Sequence, residues 1–298
     1  MKRNLILLTI ILLSNVAVGQ QMPQFTNYQL NTYIYNPAIA GVDGYTQMSA
    51  NIRNQWVGVQ EAPKTNAISV FGPMRNDNMS LGGIVYSDKL GAESRSGFSM
   101  SYSYNLRLKG DMSLSLGLSA GLLQYKLDNT SINPYDDNDP VFNAPGITNA
   151  VPNASFGVYL YSNKFHFSLA VPQLLNSSFN LRDDYTDEEL LTGGLVSHYY
   201  VSGGYEHDLN SDFTLEPSLL IKMVSPASPQ FEITCKTSYK KMFWTAVSYR
   251  LQDAATIYLG YDVNDQLYVA YGHDFLTSGL SAVSSGTNEF KLGYRFFK

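Results

Sequence analysis

Few residues in this 298-residue chain are spaced to do chemistry. Its four histidines stand far apart, at 166, 198, 207 and 273, and no two share metal-ligand spacing. There is no Gly-x-Ser-x-Gly elbow and no glycine-rich phosphate loop ahead of a helix. A hydrolase assembled across strands would take His166 as its base, flanked by Ser and Tyr hydroxyls on neighbouring strands. His207-Asp208 reads as a turn between two strands. Two acidic runs, Asp136-Asp137-Asn138-Asp139 and Asp183-Asp184-Tyr185-Thr186-Asp187-Glu188-Glu189, offer oxygen ligands for a hard cation such as calcium. Neither has the spacing or the glycine of an EF-hand loop, so both read as solvated loops and no cofactor is implied. The single cysteine, Cys235, excludes a disulfide framework or a Cys-based zinc site. The reading is a protein that binds and does not catalyse.

The elements that carry these residues follow from period. Met112, Leu114, Leu116, Leu118, Ala120 and Leu122 alternate with Ser113, Ser115, Gly117, Ser119 and Gly121. Phe98, Met100, Tyr102, Tyr104 and Leu106 alternate with Ser99, Ser101, Ser103 and Asn105. A period of two over this length is a strand with one apolar and one polar face, and Lys109-Gly110-Asp111 turns one into the other. The same template predicts about fourteen strands, at 45–56, 65–71, 80–87, 95–107, 112–126, 154–161, 165–171, 199–206, 213–223, 231–239, 243–249, 256–261, 267–272 and 289–297. Pro217 cannot donate to a ladder, and a bulge or break is expected there.

Composition places these strands. Only 15% of residues are charged, against about 25% in an average soluble domain. Mean hydropathy is nevertheless −0.14, and no apolar run reaches the roughly 18 residues that a membrane helix needs. A net charge of −5 argues against nucleic acid. Even-numbered connections between the strands are all short, while the longest ones, near 127–153, 172–198 and 273–288, are all odd. Short periplasmic turns alternating with longer outer loops mark an outer-membrane barrel, and a hydroxyl-rich second face is too polar for a sandwich core. Tyr159, Tyr161, Tyr199, Tyr200, Tyr205, Tyr239, Trp244, Tyr249, Tyr258 and Tyr271 are expected to form two interfacial girdles.

The first residues read as an export signal: Lys2 and Arg3, an apolar stretch from Leu5 to Leu13, then Ala17 and Gly19 as a small-x-small cleavage site. The expected organisation is a signal peptide over 1–19, an N-terminal periplasmic or lumenal segment over 20–44, and an all-β transmembrane barrel over 45–298. Fourteen strands enclose more room than wall side chains fill, because barrels filled in that way have about eight. The Gln/Asn/Tyr-rich segment 20–44 is expected to enter or cover that space from the periplasmic side.

Pro23-Gln24-Phe25-Thr26-Asn27-Tyr28, followed by Tyr35-Asn36-Pro37-Ala38-Ile39-Ala40-Gly41, resembles the opening of the PorP/SprF family of outer-membrane proteins. Gln55-Trp56-Val57-Gly58 with Ala62-Pro63-Lys64-Thr65 resembles its second block. Gly82-Gly83, Asp88-Lys89, Gly97-Phe98, Asp139-Pro140, Phe156-Gly157 and Val171-Pro172-Gln173 continue the resemblance, and Glu289 to Lys298 resembles a barrel assembly signal with a lysine in place of the final aromatic. Asn36-Pro37-Ala38 is in itself a turn opener.

The resemblance implies a role in type IX secretion or gliding, as an accessory or anchor for a secreted protein held through its C-terminal sorting domain. The alternatives it leaves are a core component linked to periplasmic secretion or gliding machinery, and a general porin. The partners implied are that secreted protein, periplasmic components and outer-membrane lipid. The expected outer contact surface is Asp136, Asp137, Asp139, Asp183, Asp184, Asp187 and Glu188.

Overall fold

The computed structural model describes residues 25–26, 28–128, 146–180 and 192–297. Its wall is made of β1 (Thr46–Asn54), β2 (Lys64–Pro73), β3 (Met79–Leu90), β4 (Glu93–Arg107), β5 (Ser113–Leu127), β6 (Ile147–Tyr161) and β7 (Phe165–Val171). A small hairpin of β8 (Ser178–Asn180) and β9 (Thr192–Gly194) follows. The wall resumes with β10 (His198–Tyr205), β11 (His207–Asp208), β12 (Phe213–Val224), β13 (Gln230–Tyr239), β14 (Phe243–Arg250), β15 (Ala254–Asp262), β16 (Leu267–Leu276) and β17 (Thr287–Phe296). Each wall strand pairs antiparallel with its sequence neighbour, and β1 pairs with β17, from Thr46 opposite Phe296 to Asn54 opposite Asn288. The ring closes with fourteen strands, β11 being the continuation of β10. All fourteen periodic segments of the sequence fall on these strands.

Two details differ from the sequence pattern. β6 begins at Ile147 rather than near 154, because Asn149, Pro152 and Asn153 hide a strand pattern. Pro152 is tolerated there because the β6–β7 ladder covers only Phe156 to Tyr161, so its missing N–H has no wall strand to serve. Pro217 leaves the β12–β13 ladder continuous, opposite Cys235. On its other side the ladder is interrupted between Gly204–Ser218 and His207–Leu215, so the expected break is confined to one neighbour. His207 and Asp208 pair there as strand, not as turn.

The two faces of the wall invert the order of a soluble protein. On β1, Gln47, Ser49, Asn51 and Arg53 are buried, while Met48 and Ile52 are exposed. On β2, Thr65 and Ser69 are buried and Ile68 and Val70 exposed. Polar parity points into the ring and apolar parity outward. A sheet in water would leave those apolar side chains in contact with solvent at about 25 cal/mol per Å²; surrounded by lipid they incur no such cost.

Aromatic residues mark both edges of the apolar band on part of the wall. Phe213, Tyr239, Phe243 and Tyr261 form one cross-strand row over β12 to β15. Tyr249, Ala255 and Phe275 lie in another row nearer the opposite end. Of the expected girdle residues, Tyr199, Tyr205, Tyr239 and Tyr249 are outward and exposed. Tyr200, Trp244 and Tyr258 are buried inside the ring, and Tyr159 stacks inside on His166, so these do not belong to a girdle. Alternation decides the face, and ring chemistry alone does not.

The connections segregate by end. The one bearing the start of β1 and the end of β17 carries only short turns, such as 240–242 and 263–266, whereas 128–146, 172–197 and 277–286 all leave from the other. The second is the outer end by the rule for outer-membrane barrels.

Candidate functional site

The ring is occupied by the chain's own beginning. Residues 25–26 and 28–44 run along the inside as a strap, from the outer end at Phe25 to the periplasmic end at Gly41, shortly before β1 starts. Phe25, Thr26, Tyr28, Asn31, Tyr33, Tyr35, Asn36 and Ala38 are all buried. A helical turn α1 (Thr32–Tyr35) and a 3-10 turn, Pro37–Gly41, are its regular structure. A strap of this composition has no core of its own and is ordered by what the wall offers.

At the outer end the wall offers charge. Arg53 Nε donates to Thr26 Oγ1 at 3.0 Å, and that hydroxyl donates to Asp274 at 3.3 Å. The Thr26 N–H donates to Glu289, and its carbonyl accepts from Tyr258 and from Arg250 at 3.5 Å. Every polar group of Thr26 is thereby used. The charges also hold one another: Arg53 with Asp274 at 3.4 Å, Arg250 with Glu232 at 3.0 Å and with Asp253 at 2.8 Å. Arg53, Arg250, Glu232 and Asp274 are almost fully buried, which is costly unless each charge is paired and bonded.

Deeper in, Asn31 donates to Glu289 at 2.8 Å and accepts from Asn51, and Lys291 donates to the Leu30 carbonyl. Tyr28 shares a hydrogen bond with Ser218 at 2.6 Å, and Tyr33 with Ser101 at 2.8 Å. Burial raises the Tyr28 phenol, with the Ser218 bond opposing, and raises Tyr35. Burial likewise pushes Tyr33 up to about 12. These phenols stay neutral and act as hydrogen-bonding groups at physiological pH.

Toward the periplasmic end the wall offers space. Asn36 caps the 3-10 turn, its side chain accepting from the Ala38 N–H at 2.9 Å, and Pro37 occupies the first position, where no donor is needed. The Asn36 amide reaches Ser168 at 2.8 Å and the Val158 carbonyl at 3.1 Å, while Ser115 donates to the Ala38 carbonyl at 2.6 Å. A Cβ at Gly157 would overlap Asn36, and one at Gly117 would overlap the Pro37–Ala38 backbone. The glycines on the polar face of the wall form the seat of the strap.

The space left beside the strap is small where Leu30, Tyr258, Gly272, Glu289 and Lys291 meet, about 10 Å³. At the outer mouth, Leu195 follows the β8–β9 hairpin and packs on Leu123, Tyr125 and Val151 of the strands that rise highest there.

The structure thus gathers Phe25, Tyr35, Asn36, Pro37, Ala38 and Gly41 into one lumenal unit. Trp56 lies apart, half-buried at the outer end of β1, with a positive φ of 48° and its N–H on Thr287 Oγ1 at 3.2 Å. Pro23, Gln24, Asp136, Asp137, Asp139, Asp183, Asp184, Asp187 and Glu188 lie outside the described residues, as do residues 1–19. His166 faces Glu216 at 3.9 Å inside the ring. Arg53, Glu232, Arg250, Asp274 and Glu289 were not singled out by sequence. Their signal is a charge on the polar parity of a strand in a chain that is otherwise poor in charges.

Comparison with known proteins agrees with this architecture. The monoaromatic hydrocarbon channel CymD aligns over 93% of this chain and 94% of its own, at 10% identity and a TM-score of 0.51. A Pseudomonas aeruginosa FadL homologue aligns over 89% and 93%, at 12% identity and a TM-score of 0.49. The CymD likeness concerns the fold alone. No curated protein matches the chain. The family model described as type IX secretion system membrane protein PorP/SprF matches residues 17–294. With an outer-membrane barrel fold and a family match over nearly its whole length, this chain belongs to the PorP/SprF family of type IX secretion system membrane proteins.

Proposed function

We propose that the protein is a non-catalytic accessory or anchor that helps a type IX secreted protein reach and stay on the cell surface. Its partner is engaged from the outer end, through the C-terminal sorting domain of the secreted protein. The observation that supports a binding role over a porin is the filled ring: the strap from Phe25 to Gly41 occupies the lumen and is bonded along its length to the wall. A rigid scaffold bearing long loops at one end suits recognition, where passive conduction would need an open path. The acidic side chains Asp136, Asp137, Asp139, Asp183, Asp184, Asp187 and Glu188 are the proposed contact residues.

Capture of the surface partner by full-length protein and by a variant lacking 176–190 tests this. Loss of capture with the barrel still folded is the expected result. Unchanged capture removes that loop from the interface, and absence of any type IX secreted protein from the wild-type pull-down removes the anchor role.

A further inference from the structure

On the outward face of β2 to β5, one cross-strand row reads Lys64, Lys89, Ser94, Lys126: Lys64 opposite Lys89, Lys89 opposite Ser94, Ser94 opposite Lys126. The next row inward is Asn66, Ser87, Ser96, Gln124, and the one after it is Ile68, Val85, Phe98, Leu122. The rows pass from cationic to neutral polar to apolar within four residues along each strand, about 13 Å at ~3.3 Å per residue. The apolar row is exposed and belongs to the lipid-facing band. The lysines therefore stand one headgroup's depth above it, at the outer end.

Their arrangement concentrates positive charge on the wall. Like charges directly opposite across strands destabilise a sheet, yet Lys64 and Lys89 are placed so. Among the described residues none of the three ammonium groups is ion-paired. They line a cavity of about 460 Å³ together with Ser94, Glu61 and Asp128. Its polar groups are thus sorted: cations and the Ser94 hydroxyl sit on the strands, and the two carboxylates on the connections above.

We propose that this patch binds the phosphorylated sugar headgroup of an outer-leaflet lipid. The three lysines hold phosphate oxygens with Ser94 donating among them. Glu61 and Asp128 accept from sugar hydroxyls, and the acyl chains run down over Ile68, Val85, Phe98 and Leu122. A soluble phosphate would gain the ammonium contacts but nothing from the apolar row directly beneath them. A protein partner would have to displace lipid to reach that row.

Native mass spectrometry of the full mature protein in detergent, titrated with bis-phosphorylated lipid A, tests the site. Dephosphorylated lipid A and inorganic phosphate serve as the other two arms. Wild type is expected to retain the phosphorylated lipid at least tenfold better than the dephosphorylated one, with inorganic phosphate not retained. The triple variant Lys64→Gln, Lys89→Gln, Lys126→Gln is expected to lose that preference, and the three Lys→Arg changes to keep it. Replacing Lys109, Lys240 and Lys241 at the opposite end by Gln removes the same charge and is expected to change nothing. Equal retention by the first triple variant, or equal retention of both lipids by wild type, overturns the proposal. Retention of inorganic phosphate alone overturns the lipid as its ligand. Because the Arg and opposite-end variants report on folding and on bulk charge, a poorly folded Gln variant still leaves a decision, through the two lipids on wild type.

Discussion

The Arg53 guanidinium donates to the Thr26 hydroxyl at 3.0 Å while it pairs with Asp274 at 3.4 Å, so one buried cation ties the start of the strap to the wall. Removing it by Arg53→Ala leaves Asp274 and Glu289 short of a charge partner inside the ring. Loss of one partner of a buried pair costs about 3–5 kcal/mol. The expected outcome is a lowered urea midpoint for barrel unfolding in micelles, followed by gel mobility. Thr26→Val is expected to cost less, about 1–3 kcal/mol, since it strands polar groups without unbalancing charge.

Gly157→Leu and Gly117→Val fill the seat of Asn36-Pro37-Ala38 while leaving the outward face of the wall untouched. The strap is expected to be displaced at its periplasmic end, read as new cleavage by added protease between 30 and 44 in folded protein. Protection equal to wild type would mean that the wall glycines do not hold it.

Deletion of 20–44 removes the lumen's contents outright. Planar-bilayer conductance is expected to rise severalfold over full length, and no rise would mean that the strap does not occlude the ring.

The strap phenols give a pH prediction with a definite sign. Tyr33 is pushed up to about 12, with Tyr28 and Tyr35 also raised by burial, from an ordinary value near 10. Below pH 10 both folded and unfolded strap hold these protons, so stability is independent of them. As pH rises past 10 the unfolded form loses protons first, and the folded strap is progressively disfavoured as pH climbs through the raised folded values. Tyrosinate absorbance near 295 nm should therefore develop later in folded than in denatured protein. Coincident titration curves would contradict the buried placement.

The wall was legible in the sequence because a strand with lipid on one side and polar contents on the other writes its own alternation. Met112 to Leu122 needs no partner to be read. What alternation does not carry is which residues meet across the ring. Thr26 bonds to groups at 53, 250, 258, 274 and 289, and no local period encodes separations of that size. Tyr200 and Tyr199 look alike as interfacial aromatics, yet one is buried against Tyr35 and the other is exposed. The early strand of β6 was hidden by Pro152 for the opposite reason: local propensity forbids what an unpaired edge permits.

Asn31 accepts from Asn51 of the first strand and donates to Glu289 of the last, so one strap residue is a latch across the seam where the ring closes. The strap precedes every wall strand in the chain, while half of its latch lies on the last of them. A wall lacking β17 loses at once its seam with β1 and the Glu289 and Lys291 contacts to Thr26, Leu30 and Asn31. Closure of the wall and retention of its lumenal contents therefore draw on the same strand.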